Sequence, residues 1–149
     1  MADTALSEVF QKFRVNYYKQ VFRKIKTREL SLTTVEVFAV EIIAALKNPT
    51  INEFASFIGI SSPNAAYKIN SLIQKGYLEK VQSDTDKREY YLCVTDKFYE
   101  YYALSERYLL LAEKRLKDTL SPEDYETFNR ILNQINEEVM PTLNEEEEA

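Results

Sequence analysis

Residues 53–97 read EFASFIGISSPNAAYKINSLIQKGYLEKVQSDTDKREYYLCVTDK, a stretch whose alternation of apolar runs, turn residues and charges predicts two helices and a charged β-hairpin. Ala55 leaves room where two helices cross closely, Gly59 suits a backbone turn with φ > 0, and Ile60 anchors the next segment. Ser62 and Pro63 read as N-cap and first helical residue, since a serine hydroxyl accepts from an orphan N–H and proline has none to lose. Ala65, Ile69, Leu72 and Ile73 then fall on one side of the second helix and predict its buried stripe. Ser61, Ser62, Pro63, Asn64, Tyr67, Lys68 and Ser71 are left at its start and on its polar side. A helix presenting such a face fits the DNA major groove; an ordinary solvated surface is the plainer alternative.

Gly76 ends that helix, residues 77–82 read as a strand, and the β-branched and aromatic run 90–95 returns beside it. The connecting turn, residues 83–88, is SDTDKR. Asp84 and Asp86 suit a turn through side-chain to backbone hydrogen bonds, and Lys87 and Arg88 carry charge at the tip. A basic tip directly after a recognition-type helix predicts a wing, with Arg88 able to reach phosphates or a narrow minor groove.

These residues resemble the MarR-type bacterial transcription regulators. The helix-turn-helix pattern of that family, L-A-x-x-L-G-[LI]-S followed by L-x-x-x-G-[LY], is matched by Phe54, Ala55, Ile58, Gly59, Ile60, Ser61, Leu72, Gly76 and Tyr77. Its wing pattern, D-x-R followed by L-T-x-K, is met by Asp86, Arg88, Val94, Thr95 and Lys97. The resemblance implies a dimeric DNA-binding regulator, most often a repressor relieved by a small aromatic or lipophilic effector. It also implies that Arg88 enters the minor groove and that Asp86 orients the wing. The chain departs from the family pattern at Tyr67, often arginine, at Ala65, often larger, and at Phe98, where many members have glycine; the last predicts a helix starting directly at Thr95 or Asp96.

The 149 residues are 45% apolar with two glycines and four prolines, consistent with one compact, largely helical domain plus dimerisation elements. The formal charge of −5 is unevenly spread. Residues 1–30 carry a net +4 and residues 61–88 a net +2, whereas residues 119–149 carry −8. Base is thus concentrated on the first helix and the DNA-reading segment, acid at the far end. No apolar run approaches membrane-span length and no signal peptide is evident, so a cytoplasmic location is expected. The single cysteine, Cys93, reads as a packing residue of the second wing strand. The hydroperoxide sensors of the resembled family carry their cysteine in the first helix, which has none here. With no histidine, no Gly-rich phosphate loop and no nucleophile–base pair, neither a metal site, a cofactor nor an enzyme is expected.

The remaining elements frame this segment. Leu6, Val9, Phe10, Phe13, Tyr17, Val21 and Ile25 form the stripe of a first helix over about residues 5–28. Thr33-x-x-Glu36 and Thr50-x-x-Glu53 read as capping boxes. Residues 96–118 read as one long helix, and Ser121-Pro122 opens a last one running to Pro141. The expected fold is mostly α with a β-hairpin wing: a winged helix-turn-helix flanked by long dimerisation helices. Its parts are residues 1–30, a dimerisation helix; 31–97, the DNA-binding domain; 98–144, C-terminal dimerisation helices; and 145–149, an acidic tail not needed for dimerisation. Phe10, Phe13, Leu132 and Ile135 are candidates for the two-fold interface, and Tyr17, Tyr18, Phe38 and Tyr102 for an effector crevice, although core packing explains most such aromatics. The expected partners are double-stranded DNA, a second copy and a small effector, with no membrane. The main rival is a winged-helix protein-interaction module without DNA binding.

Overall fold

The computed structural model describes residues 4–27 and 31–140, except for the side chains of residues 104 and 105. The tail at residues 145–149 and the stop at Pro141 lie outside the described residues. The chain divides into two compact units, Met1–Glu106 and Arg107–Ala149.

In the first unit α1 (Ala5–Lys26) begins at a reciprocal cap in which Thr4 and Ser7 each satisfy the other's backbone N–H. Only Val21 on this helix is fully buried, with Tyr17 and Ile25 packed against the core beside it. Helix α2 (Thr34–Ala45) is the core helix: Val37, Val40 and Ile43 are buried along it. Its capping box closes as expected, Thr33 accepting from the Glu36 N–H and Glu36 from the Thr33 N–H. The second box is only half closed. Thr50 accepts from the Glu53 N–H, but the Glu53 carboxylate takes the Thr50 hydroxyl rather than its N–H.

Helix α3 (Ile51–Ile58) ends at Gly59, whose φ of +70° is why glycine stands there, because a Cβ would meet no atom within 4 Å. Helix α4 (Ser62–Gln74) follows, with Ala65, Ile69 and Leu72 wholly buried and Ile73 partly so. Strands β1 (Leu78–Gln82) and β2 (Tyr90–Val94) pair antiparallel from Leu78 opposite Val94 to Gln82 opposite Tyr90. Each is one residue shorter than its expected run. Tyr77 is buried at the exit from α4, while Thr95 occupies the N-cap position of α5 (Asp96–Ser105). The free edge of β2 meets residue Thr50, and the Leu92 N–H donates to the Pro49 carbonyl at 2.8 Å, which roots the hairpin on the start of α3.

The expected single helix over residues 96–118 is two. Glu106 keeps its hydrogen bond to the Tyr102 carbonyl, but its ψ of −10° leaves the helical value and the ladder restarts in α6 (Arg107–Thr119). In the second unit α6 is followed by α7 (Pro122–Gln134), capped by Ser121 as expected. The periodic run beyond it does not continue as α-helix: residues Ile135–Val139 form a π-helical turn. Glu113 accepts from the Tyr125 hydroxyl at 3.4 Å and pairs with Lys117 at the same distance, linking α6 to α7. Neither α6 nor α7 has a buried residue. Among the described residues no helix is long and apolar enough to cross a membrane.

Candidate nucleic-acid interface

The start of α4 is built one residue earlier than the sequence suggests. Ser61, not Ser62, is the N-cap: its hydroxyl accepts from the Asn64 N–H, and Pro63 lies in the first turn behind it. Two adjacent serines offer the same chemistry, and proline is tolerated at either of the first two positions. Ser62 instead donates to Asn52 Oδ1 of α3 at 2.8 Å, tying the two helices of the helix-turn-helix together at their solvent side.

From this start Asn64 and Tyr67 project outward, Tyr67 with 80% of its surface exposed, and Lys68 is half-buried beside them. Ser71 differs. Its hydroxyl is turned toward α2 and donates to Glu36 at 2.5 Å. One turn further on, Lys75 Nζ meets the other oxygen of Glu36 at 2.7 Å. Burial alone would raise the Glu36 carboxyl, but the hydrogen bonds from Lys75, Ser71 and Thr33 and the Lys75 charge outweigh it and hold the group at about 2.

The wing is ordered by its own side chains. The buried Ser83 hydroxyl accepts from the Thr85 and Asp86 N–H groups, and Gln82 donates to the Lys87 carbonyl at 2.7 Å. Asp86 Oδ1 accepts from the Arg88 N–H at 3.0 Å and from its Nε at 3.2 Å, with Nη2 on Oδ2 at 3.4 Å. These bonds hold the Asp86 carboxyl below its ordinary range, the backbone one first. They also aim a guanidinium whose side chain is 91% exposed. Lys87 is exposed beside it.

The end of α4 is clamped to the start of α5. Thr95 donates to the Gly76 carbonyl at 2.5 Å, and Lys97 Nζ donates to the Lys75 carbonyl at 2.7 Å while lying 4.6 Å above the Tyr77 ring. Orphan carbonyls at the helix C-terminus thereby gain partners and a positive charge.

The aromatic candidates are brought together only in part. Tyr18 has Tyr17 on one side at 6.0 Å and Phe38 on the other at 6.5 Å, whereas the Tyr102 ring stacks on Phe98 at 5.5 Å. Between them lies Glu41, which the sequence reading missed although it is an isolated acid in the apolar run of α2. The Tyr17 hydroxyl of α1 donates to one of its oxygens, and the Tyr101 hydroxyl of α5 to the other at 3.1 Å. Burial raises the Glu41 carboxyl above its ordinary value, against the pull of both tyrosines and of Lys24. Of the interface candidates, Phe10 is exposed under the Arg14 guanidinium, Phe13 and Ile135 are half-buried, and Leu132 is exposed.

A helix-turn-helix whose second helix keeps an open polar face, followed by a hairpin that aims an arginine into solvent, defines a winged helix protein. Residues 32–90 match the model of the MarR family. Over that segment the chain is similar to the MarR family, whose members are transcription regulators and not enzymes. Solved structures share the fold along most of the chain. FabT from Streptococcus pneumoniae, in complex with DNA, is 19% identical over 91% of this chain and 92% of its own, with a TM-score of 0.55. The transcriptional regulator Tm0710 from Thermotoga maritima is 18% identical over 92% and 94%, with a TM-score of 0.65. A MepR mutant from a multidrug resistant S. aureus clinical isolate is 15% identical over 92% and 99%, with a TM-score of 0.67. At these identities the likeness is one of fold. No curated protein matches the sequence.

Proposed function

We propose that this chain is a sequence-specific DNA-binding transcription regulator that acts as a homodimer on an inverted repeat, as a repressor relieved by a small effector. The observation that carries the reading is the pairing, within one compact unit, of the open face around Asn64 and Tyr67 with an Arg88 held outward by Asp86. The first can read base edges and the second can enter an adjacent groove or grip phosphate. Among solved structures of the same fold, FabT is in complex with DNA and a MepR mutant is bound to an oligodeoxyribonucleotide.

Dimerisation is supported by apolar surface that the described residues leave exposed. Leu6, Val9, Phe10 and Phe22 stand exposed on α1, and Leu109, Leu110, Ile131 and Leu132 on α6 and α7. A two-fold pair would bury these faces and present two reading heads to two half-sites. The Tyr17, Tyr18 and Phe38 cluster is where an aromatic or lipophilic effector would act, on helices that also frame the reading head.

Footprinting on the promoter beside the chain's own gene, followed by titration of the protected duplex at increasing salt, tests the function. A protected inverted repeat whose binding falls steeply with salt is expected. No protection, together with weak, salt-insensitive association, would favour the protein-interaction module.

A further inference from the structure

We propose that Glu36 is a positioning residue for DNA reading: through Ser71 and Lys75 its carboxylate fixes where the recognition helix α4 sits on α2. The inference rests on the DNA-binding reading above and adds to it a residue that itself touches no nucleic acid.

The apolar seam between the two helices supplies burial but little direction. The buried side chains of α4 are Ala65, Ile69 and Leu72, and the smallest of these stands nearest the helix start. Burial of apolar area along such a stripe is non-directional, so it does not by itself choose one roll or slide of the helix. Hydrogen bonds do, because they weaken steeply with distance and angle. Glu36 is itself fixed before it meets α4, since the Thr33 N–H holds its Oε2 at 2.8 Å at the start of a helix whose Val37 and Val40 are fully buried. From that fixed point one oxygen takes the Ser71 hydroxyl at 2.5 Å and the other the Lys75 ammonium at 2.7 Å.

Ser71 and Lys75 are four residues apart, so the two bonds grip one side of α4 a full turn apart and oppose both roll and slide. Asn64, Tyr67 and Lys68 depend on that setting for their reach to base edges. The wing follows in the chain through Gly76 and Tyr77 into β1, but it is rooted on the start of α3 by the Leu92 bond to the Pro49 carbonyl. The reading face of α4 is thus indexed to one carboxylate at the start of α2. The same bonds withdraw Ser71 and Lys75 from base and phosphate contact.

The test uses the full chain and a duplex enriched by it from a randomised double-stranded library. Affinity for that duplex, preference over random duplex, salt slope and thermal unfolding are measured for the parent, Glu36→Gln, Ser71→Ala, Lys75→Met and the Glu36→Gln/Lys75→Met double variant. The glutamine retains an acceptor for Thr33 or Ser71 and removes the charge that Lys75 needs. Sequence preference is expected to fall roughly tenfold in Glu36→Gln and Lys75→Met at temperatures well below unfolding. The double variant should lose little more than either single one, and the salt slope of Lys75→Met should match that of the parent. Unchanged preference in Glu36→Gln overturns the assignment, as does a Lys75→Met variant that keeps its preference while its salt slope drops by about one, the mark of a phosphate contact. If Glu36→Gln does not fold, Ser71→Ala decides, since it removes one hydroxyl from a half-buried position; unchanged preference there overturns the assignment. A parent chain that enriches no sequence overturns the DNA reading and the positioning role with it, whereas enrichment by the parent and equally by Glu36→Gln overturns the positioning role alone.

Discussion

Arg88 and Asn64 make different demands on their surroundings, and substitutions separate them. Arg88 is aimed by the two bonds its guanidinium donates to Asp86 and buries nothing, so Arg88→Ala should weaken operator binding by about tenfold and leave unfolding unchanged. Gel-shift titration beside a melting curve checks this, and undiminished affinity at moderate salt would remove the wing from the mechanism. Asn64 donates only its backbone N–H to the Ser61 cap, leaving its amide side chain for a base. Asn64→Ala should therefore cost roughly 1–3 kcal/mol of discrimination at one position per half-site. Binding-site selection would show that position flattened, and an unaltered sequence logo would mean Asn64 reads nothing. Local contacts were legible: Asp86 and Arg88 stand two residues apart in the turn, and the carboxylate accepts from the arginine there. Glu36 was legible as a cap because Thr33 stands three residues before it, but not as a partner of Ser71 and Lys75, which only folding brings to it.

Among the elements, α3 and α2 carry the sharpest expectations. Gly59 takes a left-handed conformation in open space, so Gly59→Ala should lower stability by about 1 kcal/mol through backbone strain alone, readable as a shift in the denaturant midpoint. Helix α2 holds α1 and α5 through one acid, Glu41, whose folded carboxyl binds its proton more tightly than the unfolded chain does. The folded state therefore takes up more protons between the ordinary value of 4.5 and the raised one. The contribution of Glu41 is fullest below that window and is lost as pH rises through it. Melting of the parent against Glu41→Gln across this range should show the parent gaining on the variant as pH falls; parallel curves would show that the acid is not buried as described. Element identity was legible throughout because caps and apolar spacing agree. The two interruptions, at Glu106 and at Ile135–Val139, carried no such mark: neither glycine nor proline stands at them, and the apolar spacing runs on across both.

For the whole molecule, the exposed apolar side chains of the terminal helices are what the proposed dimer rests on. Leu132 and Ile135 lie three residues apart at the end of α7, and replacing both with charged residues should give monomer or unfolded chain by sedimentation, because unpaired charge in an apolar seam is costly. A folded dimer bearing both charges would move the interface elsewhere. The charge asymmetry read from the sequence concerns this same scale, since the acid of residues 119–149 lies away in sequence from the DNA-reading segment. The clamp of Thr95 and Lys97 on the Gly76 and Lys75 carbonyls, just past the end of α4, has a mechanical consequence. It couples the exit of the recognition helix to the first turn of α5 through two hydrogen bonds. A rotation of α5 must either break these two bonds or carry the end of the reading helix with it.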